Sequence, residues 1–325
     1  MEKTFLAVDE TLPGEAWRQR FRAGWPAVRE WYLKEGLAPR PTVAAARAAL
    51  ERHMPELLPI YERLCDLVGD DDIAHRCLSC LDPPPVITGC SQAVWLGEGG
   101  PALLRNYDFE LAFTTGRIES TCWRGRRVIA MAEAAWGALD GMNEDGLVAS
   151  LTFGGSFANG RGFSTVLALR YVLETCRTVV EAIAALTRIP VTMSNNVTVL
   201  DRSGAFATVF LGPDRAPLVT EARVCTNHQD RPVPPQQEAR SQTLERQASL
   251  IRALADPATD LSALQSRMLA PPLYCACGED SYATVYTALY RPREGAVDYI
   301  WPGKTWRQSF ARFESGSYRH VYAAA

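Results

Sequence analysis

Three consecutive prolines, Pro83-Pro84-Pro85, directly after Asp82, constrain this chain more than any other feature. Proline lacks a backbone N–H and pushes the residue before it out of the helical conformation, so no helix crosses this point. On the N-terminal side the apolar spacing is helical with charges on one face. The segments EAWRQRFRAGWPAVREWYLKEG and TVAAARAALERHMPELLPIYERLCDLV, within 14–68, are separated at Gly36 to Pro41, and a short third helix is expected around Asp71 to Ser79. On the C-terminal side the pattern changes to β-forming runs at 90–95, 102–107, 126–137, 146–153, 196–201, 206–211, 222–227, 283–290 and 297–301. Helices are expected at Ser164 to Arg177, Thr178 to Thr187 and Gln236 to Ala255, and three prolines make 230–237 a loop. The chain thus reads as a helical lead-in over its first 85 residues, followed by strand blocks separated by helix blocks. That order favours antiparallel sheets covered by helices, an α+β protein.

The first pair of strands after the prolines carries the chemistry. In PPPVITGCSQAVWLGEGGPALLRNYDF, the Gly-rich stretch from Gly97 to Pro101 predicts a hairpin that brings Cys90 and Arg105 together. Cysteine reacts as its thiolate, which a guanidinium favours, and Asp108 offers a carboxylate able to hold a proton-bearing group. Gly89, directly before Cys90, permits a close backbone approach. Each residue also has an ordinary reading. Cys90 is one of nine cysteines, Arg105 suits a strand-end surface charge, and Asp108 suits a turn.

GCSQAVW is followed in order by RNYDF, DGMNEDGL (140–147), the helix pair ALRYVLETCRTVVEAIAAL, SNNVTVLDRSG (194–204) and CTNH (225–228). From Ile87 onward this ordered set resembles the N-terminal-nucleophile amide hydrolases of the choloylglycine hydrolase and penicillin acyltransferase type. The resemblance implies a four-layer αββα sandwich preceded by a helical N-terminal segment. It also implies a chain that cuts itself at Gly89-Cys90, leaving 1–89 as a pro-segment or small subunit and 90–325 as the catalytic unit. The freed amine of Cys90, with an ordinary value of about 7.7–8.0, then acts as base for its own thiol, at about 8.5. By the same resemblance Arg105 stabilises the thiolate and contacts the substrate carbonyl region, and Asp108 orients the α-amine. Asn196 supplies an oxyanion donor with Asn195 as a near-equal candidate, and a turn amide is the alternative for both.

Thr152 stands in Leu151-Thr152-Phe153 where bile-salt hydrolases usually carry Asn. Threonine offers no amide donor, so a backbone N–H or another group must serve, which leans toward the acyltransferase-like branch. Asn227 and His228 close a strand, with His228 lining the pocket without moving a proton. Arg246 matches a helix-borne arginine of the family, and reads equally as a solvated helix charge. Asn143 is expected in a turn with Glu144 and Asp145 solvated, while Trp95, Trp123, Trp136 and Tyr107 line either a pocket or the core.

Composition narrows the function from the other side. A chain of 325 residues with 47% hydrophobic and 22% charged residues, a net charge of −3 and a pI near 5.9 has no basic field for nucleic acid. No apolar run approaches the roughly 18 residues of a membrane span, and MEKTFLAVDETLPGEAW lacks a secretory pattern, so a cytoplasmic protein is expected. Cys77-x-x-Cys80 and Cys275-x-Cys277 lie far apart without zinc-ribbon turns, so no metal and no cofactor are expected. The expected partner is a small-molecule amide or thioester, with a homo-oligomer left open. Hydrolysis of a linear amide, acyl transfer to an amine, an uncut binding or scaffold protein that buries Cys90, and an uncut hydrolase borrowing His228 as base are the four readings.

Overall fold

The computed structural model describes residues 1–278 and 281–323. In chain order these form β1 (Glu2–Asp9), α1 (Glu15–Tyr32), α2 (Val43–His53), α3 (Leu58–Val68), α4 (Asp72–Leu78), β2 (Gly89–Trp95), β3 (Ala102–Glu110), β4 (Arg117–Thr121), β5 (Val128–Glu133), β6 (Gly137–Asn143) and β7 (Val148–Phe153). There follow α5 (Thr165–Thr175), α6 (Val179–Arg188), β8 (Asn195–Leu200), β9 (Phe206–Leu211), β10 (Leu218–Thr220), β11 (Val224–Cys225), α7 (Pro235–Ser241), α8 (Thr243–Ala255), α9 (Leu261–Met268), β12 (Tyr282–Arg291), β13 (Ala296–Trp301), β14 (Lys304–Ser309) and β15 (Gly316–Val321).

Two sheets are built from these strands. The larger runs β10-β9-β8-β7-β6-β5-β4-β1-β15 and the smaller β11-β2-β3-β12-β13-β14. Neighbours are antiparallel throughout except β1 and β4. Side chains alternate across a strand, so each sheet offers two apolar faces. The inner faces meet in one core holding Phe5, Ile129, Met131 and Met142 of the large sheet against Cys90, Leu103, Tyr107 and Tyr286 of the small one. The outer face of the large sheet packs Val128, Ala130, Val197 and Val209 against α5, α6 and the N-terminal helices. The outer face of the small sheet packs Leu104, Leu289 and Ile300 against Leu250 of α8 and Leu264 and Met268 of α9. The layer order is therefore helices, sheet, sheet, helices. Among the described residues no helix is long and apolar enough to cross a membrane.

Several sequence expectations are corrected here. The lead-in is helical over α1–α4, but residues 2–9 form β1, which lies in the large sheet between β4 and β15. Phe5 and Ala7 alternate into the core between the sheets, and the partner β15 is remote in sequence, so local spacing gave no sign of the pairing. The run 126–137 folds back at Ala134 and Ala135, which adopt positive φ of 50° and 68°, and a new strand begins at Gly137. The helix expected over Gln236 to Ala255 breaks at Gln242, φ 48°, where the Glu238 carboxylate accepts the Leu244 N–H at 2.9 Å and caps the start of α8. The run 222–227 contributes only Val224–Cys225 as a strand, and β4, β10, β14, β15 and α9 were not expected.

Candidate active site

Pairing of β2 with β3 sets the position of every group around Cys90. Cys90 lies opposite Tyr107 and Gln92 opposite Arg105, so these four side chains share the face between the sheets. From there Arg105 Nη2 donates to Cys90 Sγ at 3.0 Å, with both residues fully buried. Thr88 Oγ1 lies 3.9 Å from the same sulfur. The Cys90 N–H donates to Asn227 Oδ1 at 3.1 Å. Burial pushes the Cys90 thiol up, and Arg105 acts against that shift. Gly89 has no room for a side chain, because a Cβ there would sit 2.0 Å from Tyr282 Oη and 3.1 Å from Asp108 Cβ.

Behind Arg105 stands a residue that sequence reasoning missed. Asp140, in the middle of β6 on the large sheet, forms a fully buried ion pair with Arg105 Nη1 and so ties the two sheets together. Tyr286 Oη and Tyr290 Oη both donate to the Asp140 carboxylate, and Tyr299 Oη lies 3.3 Å from Tyr290 Oη. The guanidinium carbon lies 5.1 Å from the ring centre of Tyr107 and 5.7 Å from that of Tyr286. A buried cation is tolerable only when paired and hydrogen-bonded, and this shell provides both. The available signal was a lone carboxylate within the apolar run 137–142, at the head of the DGMNEDGL segment that sequence reasoning used only for the family resemblance.

Strand parity sends Asp108 to the opposite face from Arg105. There it accepts from Arg246 of α8 and from Thr284 Oγ1 at 2.6 Å. Arg246 is 5% exposed, which rules out the solvated-charge reading. Thr284 reaches Asp108 because β12 has a bulge. Thr284 lies opposite Asp108 and Tyr286 opposite Tyr107, so the extra residue Val285 turns two side chains that would share a face to opposite faces. Trp301 Nε1 and Tyr322 Oη donate to the Val285 carbonyl at 2.9 and 2.7 Å and hold the bulge in place. One strand thereby serves Asp108 on the helix side and Asp140 between the sheets.

Asn195 and Asn196 also divide by parity. Asn195 Oδ1 accepts from Thr165 Oγ1 at 2.8 Å on the helix side. Asn196 lies opposite Thr152, and its Nδ2 donates to Thr152 Oγ1, Thr226 O and His228 O at 3.1, 3.1 and 3.0 Å. Thr152 Oγ1 in turn donates to Thr226 O at 2.9 Å. These polar groups tie β7 and β8 to the segment carrying Asn227. His228 Nδ1 lies on the hydroxyls of Thr243 and Thr226 at 2.9 and 3.3 Å, and burial pushes its imidazole down. Among the described residues no hydrogen bond links His228 to Cys90.

The remaining expectations sort plainly. Trp136 and Trp95 belong to the two outer cores, and Trp123 packs on Trp136, whereas Tyr107 faces Cys90. Asn143 closes the turn between β6 and β7 as expected, accepting from the Leu147 N–H at 3.0 Å, and is buried. Glu144 and Asp145 pair with Arg127 and Arg126 at 3.1 and 2.7 Å. A surface depression of about 340 Å³ has His53, Arg188 and Arg215 in its lining but not Cys90. Among the described residues no group of three or more His, Cys, Asp or Glu is placed to hold a metal ion.

With this geometry in view, residues 95–306 match a family model described as acyl-coenzyme A:6-aminopenicillanic acid acyl-transferase. The matched span holds Arg105, Asp108, Asp140, Thr152, Asn196, Asn227 and Arg246, and begins just after Cys90. No curated protein matches the chain. Among solved structures, a mutant conjugated bile acid hydrolase from Clostridium perfringens is similar at 14% identity and TM-score 0.49, over 73% of this chain and 98% of that one. Penicillin V acylase from Agrobacterium tumefaciens is similar at 14% identity and TM-score 0.47, over 69% and 87%. An N-acylethanolamine-hydrolyzing acid amidase ortholog from Caenorhabditis elegans is similar at 15% identity and TM-score 0.46, over 63% and 93%.

Proposed function

The chain belongs to the acyl-coenzyme A:6-aminopenicillanic acid acyl-transferase family, and from that premise we propose that it is a self-processing enzyme that cleaves a linear amide bond with Cys90 as nucleophile. The observation that carries this reading is the pair of contacts on Cys90, with Arg105 Nη2 at 3.0 Å from Sγ and Asn227 Oδ1 at 3.1 Å from N. In processing, Sγ attacks the Gly89 carbonyl carbon and the Gly89–Cys90 C–N bond breaks as its nitrogen takes up the thiol proton. Water then hydrolyses the thioester, leaving a Gly89 carboxylate and a free Cys90 thiol. The cut also opens a sulfur that has no exposed surface in the intact chain.

In turnover the new α-amine takes the proton from its own thiol, and Arg105 favours the resulting thiolate. Attack on the substrate carbonyl gives a tetrahedral oxyanion, for which the Asn227 carboxamide and nearby backbone N–H groups are donors, whereas the Asn196 amide, engaged by Thr152, Thr226 and His228, joins them only by giving up one of those bonds. Asp108, itself held by Arg246, orients the amine. Collapse expels the substrate amine with the proton and leaves a thioester on Cys90, which water hydrolyses. Transfer of the acyl group to an amine is the second reading, favoured by the family's description as acyl-transferases.

Intact-mass spectrometry of the wild type beside Cys90→Ala tests the proposal. Fragments of 89 and 236 residues (325 − 89) from the wild type, and an uncut Cys90→Ala chain, are expected. An uncut wild type with no turnover of amides or thioesters overturns it and favours a binding or scaffold protein. With a substrate in hand, free acid against acylated amine in the presence of an amine acceptor separates hydrolysis from transfer.

A further inference from the structure

Arg105 presents its two terminal nitrogens to two different groups. Nη2 donates to Cys90 Sγ and Nη1 to the Asp140 carboxylate, while among the described residues Nε has no hydrogen-bond partner. The cation beside the sulfur is therefore already matched by an anion from the other sheet before any thiolate forms. Two phenols, Tyr286 and Tyr290, donate to that anion, and Tyr290 is linked onward to Tyr299. All of these side chains are fully buried, where charge interactions are weakly screened. We infer that Asp140 is a positioning residue that acts through Arg105 to set how readily Cys90 gives up its proton, an inference that rests on Cys90 being the nucleophile of the proposed function.

The sign follows from charge. A thiolate beside Arg105 is a second anion on one guanidinium, so the Asp140 carboxylate raises the cost of ionising Cys90. Each phenol that donates to Asp140 draws charge out of the carboxylate and leaves more of the cation's field for sulfur. The other titratable groups facing Cys90 do not substitute for this pair. Asp108 and Arg246 pair with each other on the far side of the strand. Burial pushes the Tyr107 and Tyr282 phenols and the Cys225 thiol up, so these three neighbours of Cys90 are neutral groups. Removing the carboxylate charge while keeping an acceptor, as in Asp140→Asn, must then make Cys90 a stronger acid. Removing one phenol donor, as in Tyr290→Phe, must make it weaker. A purely structural Asp140 would lower stability in both variants without moving the thiol in opposite directions.

The test is the pH titration of Cys90 in the full chain. Thiolate ultraviolet absorbance, taken as the difference from the same chain carrying Cys90→Ala, reads the sulfur in uncut protein. The pH–rate profile of iodoacetamide modification, read on the Cys90 peptide by mass spectrometry, serves for processed protein. The midpoint is expected to fall by about one unit or more in Asp140→Asn, a tenfold change in acidity, to rise in Tyr290→Phe, and to return in Asp140→Glu. An unchanged or raised midpoint in Asp140→Asn overturns the inference. Should that variant not fold, an unchanged or lowered midpoint in Tyr290→Phe overturns it, since that change deletes a single hydroxyl. The titration reads a proton on sulfur whether or not the chain cuts itself. Opposite shifts in an uncut, inactive protein would sink the proposed function alone, and a processed, active protein without them would sink this inference alone.

Discussion

Asp108 and Arg246 are both buried and directly paired, so each is tolerated in the interior only because of the other. Arg246→Met leaves the Asp108 carboxylate without its cation, and a loss of about 3–5 kcal/mol in unfolding free energy is expected from denaturant titration. Adding Asp108→Asn to that variant removes the stranded charge and should recover part of the loss. A double mutant no better than Arg246→Met would mean that the pair is not the source of the penalty. Of these residues, Cys90 and Arg105 were legible from the hairpin alone, because the Gly-rich turn sets which strand positions meet. The face on which Asp108 sits, and its partner, were not, since Arg246 comes from a helix 138 residues away.

At the scale of single elements, α5 depends on a side chain from the last residue of β6, Asn143. Asn143 Nδ2 donates to Leu173 O and Cys176 O at 3.0 and 2.7 Å, and its Oδ1 accepts from the Leu147 N–H at 3.0 Å, so one amide closes the helix end and shapes the turn. Asn143→Ala is expected to cost about 1–3 kcal/mol of stability in denaturant unfolding, the range for stranding buried polar groups. The same helix carries Glu174, whose carboxyl burial pushes up to about 7, with Arg170 acting against the shift. A carboxyl raised in the folded state binds its proton more tightly there than in the unfolded chain. Its contribution to stability is therefore full below the unfolded value near 4.5 and is lost as pH rises through about 7. Glu174→Gln should accordingly gain about 2–3 kcal/mol on the wild type between pH 5 and pH 8. Equal pH dependence of the two proteins would refute the assignment. The positions of α5 and α6 were readable from apolar spacing, whereas the groups that end α5 were not.

Across the whole molecule, the N-terminal 89 residues cannot be a detachable cap. β1 is hydrogen-bonded between β4 and β15, and helices α1–α4 share a core with α5 and α6. If the chain is cut at Gly89-Cys90, both fragments should elute together in one peak in native size-exclusion chromatography, at the position of the uncut Cys90→Ala chain, and separate only under denaturing conditions. Release of the small fragment without denaturant would contradict this. Taken alone, the sequence determined the helical start, the boundary at the prolines, the β-rich remainder and the meeting of Cys90 with Arg105, because periodicity and turn chemistry are local and act within a few residues. Tertiary structure alone decided that β1 joins the large sheet, that Asp140 reaches Arg105 across the gap between sheets, and that a bulge at Val285 divides Thr284 and Tyr286 between two faces. Each of these depends on which element lies opposite another, and a long-range pairing leaves no trace in the spacing of either partner.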